Sequence, residues 1–191
     1  MPRLEVLKHN DKEITGFLDR VSQINLDRSH YLIIFIGAYQ AGKTNLIKRL
    51  QKKIGEFIEI DLSTVISQNE EESYKNIDEL FSVIAKSDKN ILFNHGDVLA
   101  GQYTGYTYSS VRYATPQEKY FLKKITGSER FYVLNLKETA AIDKTLERFA
   151  QTSIQFDQPA SFLGLLFWKI RQIKLQGHTF ASKRPTLTAG K

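Results

Sequence analysis

Four short runs of consecutive apolar residues, rich in β-branched and aromatic side chains, punctuate the chain: YLIIFI at 31–36, FIEIDL at 57–62, NILFN at 90–94 and FYVLNL at 131–136. A weaker fifth, SIQF, lies at 153–156. Apolar runs without alternation suit strands covered on both faces, as in a parallel sheet. Between the runs, apolar positions recur at helical spacing over 44–54, 72–85, 116–125 and 142–150, and in the second of these Ile77, Leu80, Phe81 and Ile84 fall on one side. Strand and helix therefore alternate. This predicts an α/β domain, a three-layer sandwich with a mostly parallel five-stranded sheet and right-handed crossovers.

Two further helices are expected to flank this body. The segment 13–24 carries Ile14, Phe17, Leu18 and Val21 on one stripe. The segment 159–175 opens with Pro159 and Ser161, and its apolar stretch FLGLLFWKI is too short to cross a bilayer, so it reads as a helix covering the sheet. GQYTGYTYSSVRY, at 101–113, is polar, aromatic and glycine-containing. It reads as a long loop, and Tyr103, Tyr106, Tyr108 and Tyr113 would suit either an interface or an ordinary ordered loop. The expected division is an N-terminal helical extension over 1–28, the α/β domain over 29–176 and a flexible basic tail over 177–191.

Length and composition fit one domain: 191 residues, 41% hydrophobic and 25% charged. No apolar run approaches the roughly 20 residues of a membrane span, and the first residues lack a secretory apolar segment, so the expected setting is cytoplasmic. The absence of cysteine excludes disulfides and thiolate metal sites. The formal charge is +6, and the six basic residues after Asp157 (Lys169, Arg171, Lys174, Lys183, Arg184 and Lys191) account for the whole excess. Such a tail can attract anionic partners, but a solvated end is the plainer reading, and nucleic acid is not the expected partner.

The strongest chemical signal is YLIIFIGAYQAGKTNLIKRL, which sets G-x-x-x-x-G-K-T between a buried-strand pattern and an amphipathic helix. Gly37 and Gly42 let the backbone curl around a phosphate at the positive end of the following helix. Lys43 would reach the β and γ phosphates, and the Thr44 hydroxyl would be a magnesium ligand. Gly37, Ala38, Tyr39, Gln40, Ala41, Gly42, Lys43, Thr44 and Asn45 are thus the expected nucleotide-binding residues, for ATP or ADP with Mg. Small-molecule kinases, GTPases and many ATPases share this loop, so it defines the ligand class and not the function.

Taken together, IDLSTVISQNEEESYKNIDELFSVI, ILFNHGDVLAG, VRYATPQEKYFLKKI and VLNLKETAAIDKTLERF resemble, in order and spacing, the successive pieces of the AAA+ ATPase module. These are its second strand with pore loop and second helix, its Walker B strand, the helix after it, and its sensor 1 strand with the arginine-finger helix. With the phosphate loop the likeness covers roughly 31–157. The triplet Arg112-Tyr113-Ala114 is similar to AAA+ ATPases some of which accompany contractile injection systems. The resemblance implies a homo-oligomer or another protein assembly, with Asn135 as sensor 1 and Arg148 near the arginine-finger position.

The departures from the family pattern bear on activity. Asn94 and His95 stand where the family has Asp-Glu, so the weak metal ligand Asn94 brings no negative charge to a magnesium shell. The group that activates water is also gone, a role worth about 10² to 10⁴ in rate. A histidine near a triphosphate tends to hold its proton, which weighs against His95 as a replacement base. Asn69, followed by Glu70 and Glu71, occupies the place of the aromatic residue that grips a threaded polypeptide. About 30 residues follow the fifth strand, where the family carries a helical lid. The sequence therefore predicts a lidless AAA+-like core that binds nucleotide and hydrolyses it slowly or not at all, in a structural or regulatory role. An active P-loop ATPase or small-molecule kinase is the alternative, and a docking or capping protein with a vestigial phosphate loop is the third reading.

Overall fold

The computed structural model describes residues 4–8, 11–24, 26, 30–100, 114–137 and 142–156. The stretch expected as a loop at 101–113, the helix expected at 159–175 and the basic tail lie outside the described residues. Along the chain follow β1 (Glu5–Lys8), α1 (Asp11–Val21), β2 (Tyr31–Ile36), α2 (Gln40–Ile54), β3 (Phe57–Asp61), α3 (Glu70–Ile84), β4 (Asn90–Asn94), α4 (Pro116–Thr126), β5 (Phe131–Leu136), α5 (Lys144–Phe149) and β6 (Thr152–Gln155). Short 3-10 turns, Leu62–Thr64 and Gly96–Ala100, follow β3 and β4. The strands make one sheet in the spatial order β1-β6-β2-β5-β4-β3, and every neighbouring pair is parallel.

Strand β2 shows why the apolar runs do not alternate. Leu32, Ile34 and Ile36 face the layer built by α3, α4 and α5, while Ile33 and Phe35 face the layer of α1 and α2. All five are at most 3% exposed, so both faces of the strand are interior. On the first face Phe93 stacks on Tyr132 with ring centroids 5.8 Å apart, and Phe121 meets Phe93 edge-on at 4.9 Å. On the second, Ile14, Phe17, Leu18 and Val21 of α1 form the buried stripe that their spacing predicts. Burying each large apolar side chain contributes about 1.5–3 kcal/mol.

The sheet has six strands where the apolar runs predict five. The addition is β1, a four-residue edge strand in which Leu7 is buried and Val6 is 58% exposed. It is held by its ladder to β6 and by Glu5 N–H donating to the Gln151 carbonyl at 3.0 Å. A strand held by backbone bonds with one core side chain leaves no apolar run to announce it. The N-terminal segment is therefore more than a helical extension.

Helix α3 begins two residues earlier than its apolar spacing suggests. Asn69 caps it, its side-chain oxygen accepting from Glu71 N–H at 2.9 Å and Glu72 N–H at 3.3 Å. Glu70, Glu71 and Glu72 then lie in the first turn, where the positive helix end favours acids. The polar stretch at 67–73 is accounted for locally as a helix start.

Candidate nucleotide site

Strand β2 runs out at Ile36 into Gly37, whose φ of 110° belongs to the region glycine adopts freely. A Cβ there would lie 2.5 Å from the Phe156 carbonyl oxygen, so the residue after β6 forms the floor of the turn. Phe156 N–H donates to the Ile36 carbonyl at 2.7 Å, and Tyr39 N–H donates to the Phe156 carbonyl at 3.3 Å.

Helix α2 starts at Gln40, four residues before its apolar spacing predicts, with Lys43 N–H donating to the Tyr39 carbonyl at 3.2 Å. The cause is packing. Tyr39 and Ala41 are buried with Phe156 in the α1–α2 layer, and Gly42 lets the Tyr39 ring lie on the helix backbone, since a Cβ would be 2.6 Å from Tyr39 Cδ1. The stretch 37–44, expected to curl around a phosphate, is a short turn over 37–39 followed by a helix start at Gln40. Tyr39 offers no side-chain cap, so the first-turn amides of α2 are left to other acceptors.

Beside this helix start opens a cavity of about 640 Å³ lined by Gly37, Ala38, Gln40, Lys43, Asp61, Asn94, His95, Asp97, Asn135 and Lys137. Of the nine residues expected to bind nucleotide, Gly37, Ala38, Gln40 and Lys43 line it. Thr44 lines a smaller cavity of about 140 Å³ with Gln40, Lys43, Glu59 and Asn94. Tyr39, Ala41 and Gly42 support the turn from inside, and Asn45 lines neither cavity.

Because β5 lies between β2 and β4, Asn135 stands between the turn and Asn94. Lys43 Nζ donates to Asn135 Oδ1 and to the Leu136 carbonyl, both at 2.7 Å, and is 3% exposed as a residue. Burial draws its ammonium down to about 8, with the Asp97 charge opposing part of the shift. Asn135 Nδ2 donates to Asn94 Oδ1 at 3.1 Å, and Asn94 Nδ2 reaches Glu59 Oε2 at 3.5 Å. A chain of contacts, Lys43–Asn135–Asn94–Glu59, thus crosses the C-terminal edge of the sheet.

His95 follows β4 with a φ of 55°, the single non-glycine residue with positive φ among the described residues. Its Nδ1 lies 2.8 Å from Asp61 Oδ1. Asp61 also accepts from Ser63 Oγ at 2.6 Å and Ser63 N–H at 2.9 Å. These bonds, the Ser63 hydroxyl foremost and His95 next, hold the Asp61 carboxyl down to about 2. Asp97 lies beyond Gly96, and both its oxygens accept from Lys137 N–H at 3.0 Å. Gly96 is pressed against β5, where a Cβ would be 2.6 Å from Leu134 Cδ1. Arg148 is exposed on α5, lines neither cavity and makes no ion pair among the described residues.

Among the described residues no three His, Asp or Glu side chains converge to hold a metal. A magnesium ion arriving with a nucleotide needs only one or two protein oxygens besides the phosphates. The Thr44 hydroxyl and the Glu59 carboxylate, which share the smaller cavity with Asn94, are the oxygens there that could serve.

The sequence pattern around Asn94 and His95 gave no hint of Glu59 or Asp61, because both acids lie on the neighbouring strand. The register of β3 against β4, Glu59 opposite Leu92 and Asp61 opposite Asn94, brings them to the site. The spacing of Glu59 and Asp61 at the end of a predicted strand was the available signal.

Residues 33–151 match the sequence model of the AAA family, described as ATPase family associated with various cellular activities. The match spans more than half of the chain, which therefore belongs to this family. Among solved structures, the chain is similar to one in the E. coli MS115-1 HORMA:CdnC:Trip13 complex, with 15% identity and a TM-score of 0.50 over 76% of this chain and 57% of that one. It is also similar to the FIGL-1 AAA domain, with 19% identity and a TM-score of 0.49 over 76% of this chain and 49% of that one. The chain spans little more than half the length of the first and about half that of the second, and the likeness to the first speaks for the fold alone. No curated protein sequence matches the chain.

Proposed function

We propose that the chain is a nucleotide-binding AAA+-like module that holds ATP or ADP with Mg and hydrolyses it slowly or not at all, in a structural or regulatory role within a larger protein assembly. One observation carries this reading. The cavity at the start of α2 pairs a buried lysine, Lys43, with the amides Asn94 and Asn135, while the carboxylates beside it are engaged elsewhere, Asp61 by Ser63 and His95, Asp97 by Lys137. A cation and amides suit a phosphate, and no carboxylate is left on β4 to activate water. Magnesium bound with the nucleotide would neutralise phosphate charge, held by Thr44 and Glu59 rather than by Asn94.

Binding to the folded state alone stabilises it by mass action, so nucleotide can hold an assembly together without turnover. The same reading includes a cytoplasmic setting and partners that are further copies of this chain or components of a contractile injection system, in line with Arg112-Tyr113-Ala114. Arg148, exposed and without an ion pair among the described residues, would then meet a neighbouring subunit's nucleotide. The test is a thermal shift with ATP, with ADP and without nucleotide, on the protein and on Lys43→Ala. A rise of several degrees in the protein and none in Lys43→Ala is expected. No shift in either would leave the docking protein with a vestigial loop as the better reading.

A further inference from the structure

Composition alone gives the chain no polyanionic partner, because acids and bases balance up to Asp157. The folded chain separates them. Helices α1, α3 and α4 each mix acids with bases, whereas α2 carries Lys43, Lys48, Arg49, Lys52 and Lys53 and no acid. Lys43 turns inward to Asn135, while Lys48, Lys52 and Lys53 are exposed and Arg49 is half-buried. Helical spacing sets Lys48 beside Lys52 and Arg49 beside Lys53, and like charges so placed destabilise a helix. Arg49 and Lys53 lean on α1, Arg49 Nη2 donating to Thr15 Oγ1 at 3.4 Å and Lys53 Nζ meeting Asp19 Oδ1 at 3.3 Å. Lys48 and Lys52 make no ion pair among the described residues.

The chemistry of this face selects among anionic partners. Protein interfaces are built around aromatic or large apolar anchors. The exposed large apolar residues among the described ones are Val6, Val83 and Val98, none of them on α2. Beside the cations stand the amides of Asn45 and Gln51. Cations and amides without an apolar anchor suit phosphodiester oxygens, whose protein interfaces are polar, wet and strongly positive. Single strands are gripped by stacking their bases on aromatic rings, and α2 has no aromatic residue. A duplex needs none. It carries one negative charge per about 1.7 Å of its axis, and the stripe from Asn45 to Lys52 is about 10 Å long, so it meets several phosphates at once.

We infer that the outer face of α2 is a docking surface for double-stranded nucleic acid, which Lys48 and Lys52 hold by its phosphate backbone with Arg49 and Lys53 beside them. The contacts are to phosphates and not to base edges, so binding is independent of sequence. The buried side of the same helix carries Lys43, so two anion sites stand back to back on one element. The outer one does not depend on whether the cavity holds a nucleotide.

Binding of a fluorescent DNA duplex of about 20 base pairs to the full chain is measured by anisotropy between about 50 and 200 mM salt. The same is done for the double variant Lys48→Gln, Lys52→Gln and for Lys119→Gln, Lys123→Gln, which removes equal charge from exposed positions on α4. The α2 variant is expected to lose about tenfold or more in affinity at the lower salt, and its log–log salt slope should be shallower by about 2. The α4 variant should stay within about twofold of the original. The six cations after Asp157 would add equally to binding by all three proteins. Glutamine keeps the helix propensity of lysine and ends the repulsion along α2, so the urea midpoint of the α2 variant should hold or rise. Several outcomes overturn the inference: no duplex binding at the lower salt, an α2 variant with the original affinity and slope, or equal losses in both variants. So do a lower urea midpoint accompanying the lost affinity, tighter binding of a single strand of the same length, and displacement of the duplex by polyglutamate at equal charge, which would point to an acidic protein instead.

Discussion

On the α2 side of the cavity, the holding contacts come from one stretch of backbone and its floor: Gly37 turning over Phe156, Tyr39 lying on Gly42, Lys43 N–H closing the first helical turn. On the β3–β4 side they are side-chain pairs between residues 34 and 35 positions apart, His95 with Asp61 and Asn94 with Glu59. The first side is specified by a local motif whose glycines admit no substitute. The second is specified by strand register, which brings Glu59 and Asp61 of β3 to the same edge of the sheet as Asn94 and His95 at the end of β4. A local motif therefore describes the first side, whereas the second can be read only from the pairing of β3 with β4.

Four changes would break or sharpen this contrast. The largest effect is expected from Lys43→Met, which removes the buried ammonium. A charge-assisted bond is worth about 1.5–3 kcal/mol, so affinity for ATP should fall roughly 10- to 150-fold by calorimetry. Next is Gly37→Ala, where the added Cβ meets a backbone oxygen at 2.5 Å with φ at 110°. It should cost about 2–3 kcal/mol in urea unfolding, and Gly96→Ala about 1, because the leucine side-chain ends it meets can give way.

The third concerns pH. The Lys43 ammonium of the free protein loses its proton near 8, below the value of an exposed lysine, and an anionic ligand favours the protonated form. Above about pH 8 the free protein must take up a proton to bind, so affinity should fall by up to about tenfold per pH unit, and be flat in this respect between pH 6 and 7. Folding has the opposite dependence: the unfolded chain binds more protons from about 8 to 10.5, so this group's contribution to stability rises with pH across that window. The smallest effect is expected of Asn94→Asp. The new carboxylate would face Glu59, 3.5 Å from the present amide, so it should change the magnesium dependence of ATP affinity by about threefold or less. In a Glu59→Gln background the same change should do more, because the like charge is gone.

The alternation of apolar runs and helical spacing made the sheet and its layers legible, because β2, β4 and β5 are buried on both faces and each run marks a strand. Edge strand β1 was not legible, since its single core residue, Leu7, carries no pattern. The turn was legible as a phosphate motif, but its shape was not. Tyr39 and Ala41 look like loop residues in sequence, and only their packing on Phe156 winds α2 back to Gln40. Asn94 and His95 were legible as departures, whereas Glu59 and Asp61 were hidden in a run that reads as strand. Asn69 could have been read as a cap from the three acids behind it.

The partnership of β1 with β6 reaches further than the rim of the sheet. Strand β6 leads directly into Phe156, whose carbonyl holds Tyr39 and leaves room for Gly37 alone. The amino-terminal residues and the anion-binding turn are thus coupled in series through two parallel ladders, β1 to β6 and β6 to β2. Stripped of its first eight residues, the domain would present β6 as a bare rim, and the keel beneath the phosphate turn would be fastened along one flank instead of two.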